Sequence, residues 1–386
     1  MKKLSILFVA FLFFSCSKSD SSGNPSETQT DIATLDNEVT TFMTTYNIPG
    51  ASLAISKNGK LVYAKGYGKA NVATNENVTI NSRFRLASVS KTFTGVAIMK
   101  LIQDGQLTLE SNVFGPSGIL GNDYGTVPFN SNVLNIKVKH LLQHTSGSWG
   151  SITGGDVIDQ NPSYTYKQLF DWILDTRPNP NVPGTTYDYT NVGYSLLGRI
   201  IEKKSGKSYI NYIKEDILAP IGATLTDIAG KTEAEQKTNE VKYYGQGNDA
   251  SFAYTIAFPR RDADGGLIST ASDLLKFINA IDGFSTRPDI LNAASITSFT
   301  TPSSANPNYA NGIGIWNAEN VWYNYGSLPG TRTGFMRHSN GMCAVLLLNS
   351  RVDPSTGENP FVYAMQDLLL DFVNNSGYNW QNINQF

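Results

Sequence analysis

The chain has 386 residues, 40% hydrophobic and 16% charged, enough apolar material for one large or two interleaved domains and too much for a disordered or fibrous protein. Thirty Lys and Arg stand against 32 Asp and Glu, a net charge of -2, so there is no basic field for a phosphate backbone and no nucleic-acid partner is expected. Two cysteines and three histidines leave little material for a disulfide or a metal centre, and neither a metal nor a cofactor is expected.

Residues 1–15, MKKLSILFVAFLFFS, set two lysines ahead of an apolar run too short to cross a bilayer, ending on a small residue. That is the layout of a secretory signal. Cys16 follows at once, and a small residue then cysteine resembles a bacterial lipoprotein processing site, although Phe13 stands where an aliphatic residue is usual. An ordinary cleaved signal is the other reading. On the lipoprotein reading Cys16 carries the lipid, the protein is exported to the cell envelope, and it meets the membrane through that anchor alone. Residues 16–31 are rich in Ser, Thr, Asp and Gly with no apolar period, as in a flexible tether.

A folded domain is expected over 32–376, with 377–386 as a tail. Leu35, Val39, Phe42, Met43 and Tyr46 fall on one helical face, and Ile48-Pro49-Gly50 ends that helix. SLAISKNGKLVYAKGYG joins two alternating apolar segments through Asn58-Gly59, a tight-hairpin signal. In FRLASVSKTFTGVAIMKLIQDGQL, Phe93, Val96, Ala97, Leu101 and Ile102 keep a 3.6-residue period that Gly105 stops. Ser88 therefore sits at or near a helix N-terminus. From about 106 to 250 loops and helices alternate, clearest in VGYSLLGRIIEKKSG and SYINYIKEDILAPIG, each closed by glycine. Strand-like runs follow at 311–317, 331–338 and 342–349, the last two flanking Asn340-Gly341, and Asn359-Pro360 opens a terminal amphipathic helix. With strands early and late and no βαβ alternation, the pattern predicts an α+β fold. It has one antiparallel sheet built from both chain ends, flanked by helices, with a mostly helical lobe inserted. Cys343, in GMCAVLLLN, reads as a small apolar core residue.

A serine hydroxyl becomes a nucleophile only when a base takes its proton and donors hold the oxyanion that forms. No G-x-S-x-G elbow occurs, which leaves little for a Ser-His-Asp arrangement. A lysine three residues on, along one helix face, is another base, since burial lowers its ammonium pKa. Ser-x-x-Lys occurs at Ser15…Lys18, where cleavage would destroy it, and at Ser88…Lys91. Tyr-x-Asn, a possible proton route, occurs three times. Tyr209/Asn211 lie in a helical run, Tyr309/Asn311 lead a strand, and Tyr189/Asn191 follow a Pro-Gly loop before a new helix. His144, followed by Thr-Ser-Gly, reads as a loop anchor, and Tyr187 as packing.

FRLASVSKTFTG and PGTTYDYTNVGYSLLG together resemble the serine β-lactamase and D-Ala-D-Ala peptidase family of penicillin-recognising hydrolases, in its class C-like branch, over about residues 35–372. The resemblance implies a β-lactamase/transpeptidase-like fold, Ser88 as nucleophile, Lys91 as base, Tyr189 as proton shuttle and Asn191 as substrate or lysine ligand. LLQHTSGS and GGLISTASDLLKF resemble further family segments of structural kind. The third motif, Lys-Thr-Gly or His-x-Gly on a strand, meets YNYGSLPGTRTGF here. Gly326 fits, but Asn324 and Tyr325 stand where the cation and hydroxyl belong. By the resemblance the backbone N–H groups of Ser88 and Ser327 form the oxyanion hole, and Arg332 is either a replacement charge or a solvent-facing strand residue. The expectation is a monomeric serine hydrolase acting on an ester, amide or small peptide substrate. The alternatives are a D,D-carboxypeptidase or β-lactamase, and an inactive relative that binds an envelope component.

Overall fold

The computed structural model describes residues 29–386 except 148, 150, 153, 154, 178, 248–251, 257, 358, 375 and 376. The predicted signal, Cys16, the Ser15…Lys18 copy and nearly all of the tether lie outside the described residues.

Seven strands form the main sheet: β1 (Gly50–Lys57), β2 (Lys60–Asn71), β3 (Glu76–Asn77), β4 (Gly314–Trp316), β5 (Val321–Leu328), β6 (Thr331–His338) and β7 (Met342–Leu348). Their order across the sheet is β3-β2-β1-β7-β6-β5-β4, with every neighbour antiparallel. Asn58 and Gly59 take φ of 50° and 73°, the left-handed pair that a two-residue hairpin needs to match the twist of β1 and β2. The early and late strands meet at β1 and β7, in register from Ala51↔Leu348 to Lys57↔Met342. Both ends of the chain thus share one sheet.

Alternation along those strands fills two cores. Leu53, Ile55, Leu346 and Leu348 face the terminal helices Ala33–Thr45 and Asn359–Asn374, packing on Val39, Phe42, Met365 and Leu369. Ala54, Val345, Leu347 and Phe335 face the helices Ser90–Gln103 and Ala271–Asn279. There Phe93 and Phe277 stack with ring centroids 3.9 Å apart, each fully buried side chain contributing about 1.5–3 kcal/mol. The inserted lobe includes the helices Val138–Leu142, Tyr166–Thr176 and Asn191–Ser205. Gly206, at φ 71°, ends the last of these as expected.

One strand escapes the apolar pattern. Val321–Leu328 alternates half-buried tyrosines with Asn324 and Gly326, and a strand that is paired on one side only along most of its length lacks the continuous apolar run that marks β6 and β7. Only the resemblance of YNYGSLPGTRTGF placed a strand there. Conversely, the run at 311–317 shortens to Gly314–Trp316, which pairs with β5 at Val321–Tyr323 and, among the described residues, leaves 324–328 without a strand partner on the outer edge.

Candidate active site

Ser88 lies in the single turn Ala87–Val89 that leads into the helix Ser90–Gln103. The segment before it is fixed from both sides. Leu86 donates its N–H to the Leu267 carbonyl at 2.8 Å, and the Leu86 carbonyl accepts from Thr333 Oγ1 at 2.7 Å. Ala87 has φ 48°, a left-handed conformation that costs a residue with a Cβ about 1–2 kcal/mol, which the bonds on either side offset. Gly326 explains the close approach of β5. A Cβ there would lie 2.1 Å from the Leu86 carbonyl oxygen and 2.9 Å from the Ala87 Cβ.

Around the half-buried Ser88 hydroxyl two groups converge. Lys91 Nζ stands 3.2 Å from Ser88 Oγ, and the Tyr189 hydroxyl donates to the same oxygen at 2.8 Å. Lys91 Nζ also donates to Asn191 Oδ1 at 2.5 Å and to the Asp264 carbonyl at 2.7 Å. Asn191 in turn donates its amide to Asp156 Oδ2, which turns its oxygen toward the lysine. Burial pulls the Lys91 ammonium down to about 7, against the Asp264 carboxylate and with some help from Arg261. Burial raises the Tyr189 phenol above its ordinary value, so it remains a donor.

His144 frames Tyr189 from behind. Its carbonyl accepts from Asp188 N at 2.8 Å and its Nδ1 accepts from Thr190 N at 3.1 Å, so both neighbours of Tyr189 are tied to one residue. The two rings pack with centroids 4.3 Å apart. Burial keeps the imidazole neutral, well below its ordinary range, as an acceptor must be. Tyr187 packs edge-on to the same ring.

A group of charges beneath the lysine escaped the sequence reading. Arg261 donates to Asp264 Oδ2 from Nε at 3.0 Å and Nη2 at 2.9 Å, and to Asp159 from Nη1 at 3.0 Å. Ser195 donates to Asp264 Oδ1 at 3.2 Å. Burial raises the Asp264 carboxyl to about 6, with Arg261 opposing. This pairing fixes the turn whose carbonyl receives Lys91. The available signal was the charged run Arg260-Arg261-Asp262-Ala263-Asp264 ahead of Gly265-Gly266, but nothing local ties it to a residue 173 positions away.

The third-motif residues line the other wall. Asn324 is buried, with Nδ2 donating to Thr92 Oγ1 at 2.9 Å and Oδ1 accepting from Tyr325 N at 2.8 Å. Its amide thus ties β5 to the helix that carries Lys91. Ser327 Oγ accepts from Arg351 Nη1 at 2.9 Å. Arg332 is buried, its guanidinium 5.5 Å from the Tyr325 ring centre. Ser88, Tyr189, Asn191, Asn324, Ser327 and Arg332 all border one cleft of about 500 Å3, together with Asp156, Asp159, Arg261 and Arg351. Tyr309, set aside above as the lead of a strand, borders it as well, and its hydroxyl lies 3.3 Å from that of Tyr194. Tyr209 is buried in the lobe against Thr94, as its helical context implied. Among the described residues no group of three or more His, Cys, Asp or Glu could hold a metal.

An antiparallel sheet made from both chain ends, with a Ser-Lys-Tyr cluster where it meets a helical lobe, defines the class of β-lactamase and penicillin-binding-protein folds. The chain belongs to the β-lactamase family: the family model described as Beta-lactamase matches residues 35–366. Members of this family are typically exported envelope proteins. Among the described residues no helix is long and apolar enough to cross a membrane.

Protein flp of Staphylococcus aureus strain N315 is 33% identical over 202 residues, 52% of this chain and 39% of that protein. A β-lactamase of Yersinia enterocolitica is 28% identical over 256 residues, 66% and 60% of the two chains. The chain thus matches about two fifths of the first relative and three fifths of the second. Among solved structures, the octameric penicillin-binding protein homologue of Pyrococcus abyssi aligns with TM-score 0.68 and 26% identity, over 89% of this chain and 79% of that one. The D-amino acid amidase of Ochrobactrum anthropi SV3 aligns with TM-score 0.71 and 23% identity, over 90% and 98%.

Proposed function

We propose that the protein is a serine hydrolase working through an acyl-enzyme on Ser88, with Lys91 as general base and Tyr189 as proton shuttle, on an ester, amide or peptide of the cell envelope. The observation that carries this reading is the placement of Lys91 Nζ and the Tyr189 hydroxyl on the Ser88 hydroxyl, at 3.2 Å and 2.8 Å. A neutral amine has two N–H bonds and one lone pair. Asn191 and the Asp264 carbonyl take the two N–H bonds, and the lone pair is left for the serine proton. Ser88 Oγ then bonds to the substrate carbonyl carbon as its proton passes to Lys91. The oxyanion is held by the N–H groups of Ser88 and Ser327, Tyr189 protonates the leaving oxygen or nitrogen as its bond to carbon breaks, and the proton taken by Lys91 passes on to Tyr189, which leaves Lys91 neutral again. Water, activated by the same groups, releases the acid and restores Ser88.

Asn324 supports a substrate that does not need a cation at that position, since its amide is occupied by Thr92 and its own backbone neighbour. A D,D-carboxypeptidase or β-lactamase is favoured by one contrary observation: Arg332 and Arg351 border the same cleft and could receive a carboxylate. The fold is shared with a protein described as a D-amino acid amidase, which adds amides of D-amino acids to the candidate substrates. Purified protein is to be incubated with short-chain nitrophenyl esters, D-amino-acid amides and a chromogenic cephalosporin, beside Ser88→Ala. Ester or amide turnover that disappears in Ser88→Ala supports the proposal, and a rapid cephalosporin burst favours the second reading. No covalent adduct and no Ser88-dependent turnover would leave a binding protein. The lipid anchor on Cys16 belongs to the same proposal, and the mass of the mature N-terminus tests it.

A further inference from the structure

Behind the cleft wall lies a second cavity of about 400 Å3, within the about 300–1,000 Å3 range of small-molecule sites. Tyr323 and Tyr325 border both spaces. Their rings stand 5.4 Å apart at 48°, and each is seated over a glycine on the neighbouring strand. Tyr323 pairs directly with Gly314 and Tyr325 with Gly334. A Cβ at either glycine would come within 2.6 Å of the tyrosine ring, so the two glycines are what allow the rings to lie across the sheet.

The chemistry of the second cavity differs from that of the cleft. It is bordered by Trp316, Asn308, Asn317 and Gln366 besides the tyrosines, with no Asp, Glu, Lys, Arg or His among its described walls. The Tyr325 hydroxyl is buried and has no hydrogen-bond partner among the described residues, although a buried phenol ordinarily finds one. Aromatic faces accept the C–H bonds of a ring, carboxamides both donate and accept toward neighbouring hydroxyls, and walls without a charged side chain offer an ion no direct partner. We infer that this cavity is a subsite for a neutral saccharide ring, carried by the same molecule whose ester or amide bond reaches Ser88. The inference rests on the hydrolase proposal for the link to Ser88, while sugar binding itself stands apart from turnover.

The test therefore uses Ser88→Ala protein, in which binding is read without chemistry. Saturation-transfer NMR is recorded with methyl β-D-glucoside and N-acetyl-D-glucosamine, against cationic D-glucosamine and anionic D-glucuronate. The neutral sugars are expected to receive saturation and the charged ones much less. Adding Trp316→Ala or Gln366→Ala to Ser88→Ala is expected to weaken neutral-sugar binding about tenfold, as loss of a central contact does. Gln366 lies on the surface of the terminal helix and is half-buried, so Gln366→Ala keeps the test open should Trp316→Ala fail to fold. Three results would each overturn the subsite: no transfer to either neutral sugar, equal transfer to the charged sugars, or unchanged affinity in both double variants. Sugar binding without Ser88-dependent turnover in the native protein would keep the subsite and remove the hydrolase reading. Turnover without sugar binding would do the reverse.

Discussion

Lys91 has three polar neighbours, and its protonation state decides whether the third, Ser88, meets a donor or a base. With its ammonium drawn down to about 7 by burial, the lysine is charged in acid and neutral above neutrality, so the base form grows as pH rises. The kcat/KM for a neutral nitrophenyl ester is therefore expected to climb through an apparent pKa near 7 and then stay level, because Tyr189 keeps its proton well past that range. The Asp264 charge raises the lysine and Arg261 lowers it, so Asp264→Asn is expected to move the rising limb to lower pH. Lys91→Arg, which never yields a base, is expected to lose about a thousandfold or more. A pH-independent rate, or an active Lys91→Arg, would remove Lys91 from the role of base. Ser88, Lys91, Tyr189 and Asn191 were legible because each pair sits at short spacing, three or two residues apart, with a helix start beside it. Asp156, Arg261 and Asp264 were not, because they act on Lys91 across gaps of 65 to 173 residues that no local pattern spans.

β5 illustrates how one element can be functional and hard to read for the same reason. Among the described residues no strand pairs with its outer edge over 324–328, and its inner face presses on the backbone that carries Ser88, so it needs Gly326 and a polar Asn324 where a core strand would have apolar side chains. Gly326→Ala places a methyl 2.1 Å from the Leu86 carbonyl oxygen and 2.5 Å from Thr333 Oγ1, groups that are themselves hydrogen-bonded. Neither can yield without losing that bond, so the variant is expected to be destabilised by about 1–3 kcal/mol and to lose activity more than stability, since the shift falls on Ala87 and Ser88. Denaturant unfolding beside ester kinetics checks this, and native activity at native stability would show that the contact is slack. By contrast the β1–β2 and β6–β7 hairpins and the terminal helices were plain from sequence, since their Asn-Gly turns and apolar periods answer to local backbone preference and to burial on a single face. The helical lobe was legible as a region, but its short turns were not, because loop conformation there depends on contacts with the rest of the fold.

Across the whole molecule, burying Lys91 beneath sheet and lobe works against folding, and the sign of that effect can be read from pH. In the unfolded chain the lysine titrates at its ordinary 10.5 and in the folded chain at about 7. Between those values the unfolded chain binds more protons, so stability must rise with pH, by at most about 1.4 kcal/mol per unit. Below 7 the penalty is complete and constant. Other shifted groups act elsewhere. Asp264 and Asp282 are raised from 3.8 to about 6 and about 7, which favours the fold in acid and is lost as pH rises through those values. Cys343, raised by burial from 9.0 to about 12, weakens the fold only as the unfolded thiol ionises near 9. In the interval from pH 7.5 to 8.5 these groups titrate only at its edges, and Lys91 dominates. Over it the free energy of unfolding, measured in urea at fixed ionic strength, is expected to increase by about 1 kcal/mol. In Lys91→Met, which keeps roughly the length of the side chain without the titration, the same interval should show no rise. An equal slope in both proteins would mean that the lysine is already at its ordinary value in the fold, and the base proposed for Ser88 would lose its physical cause.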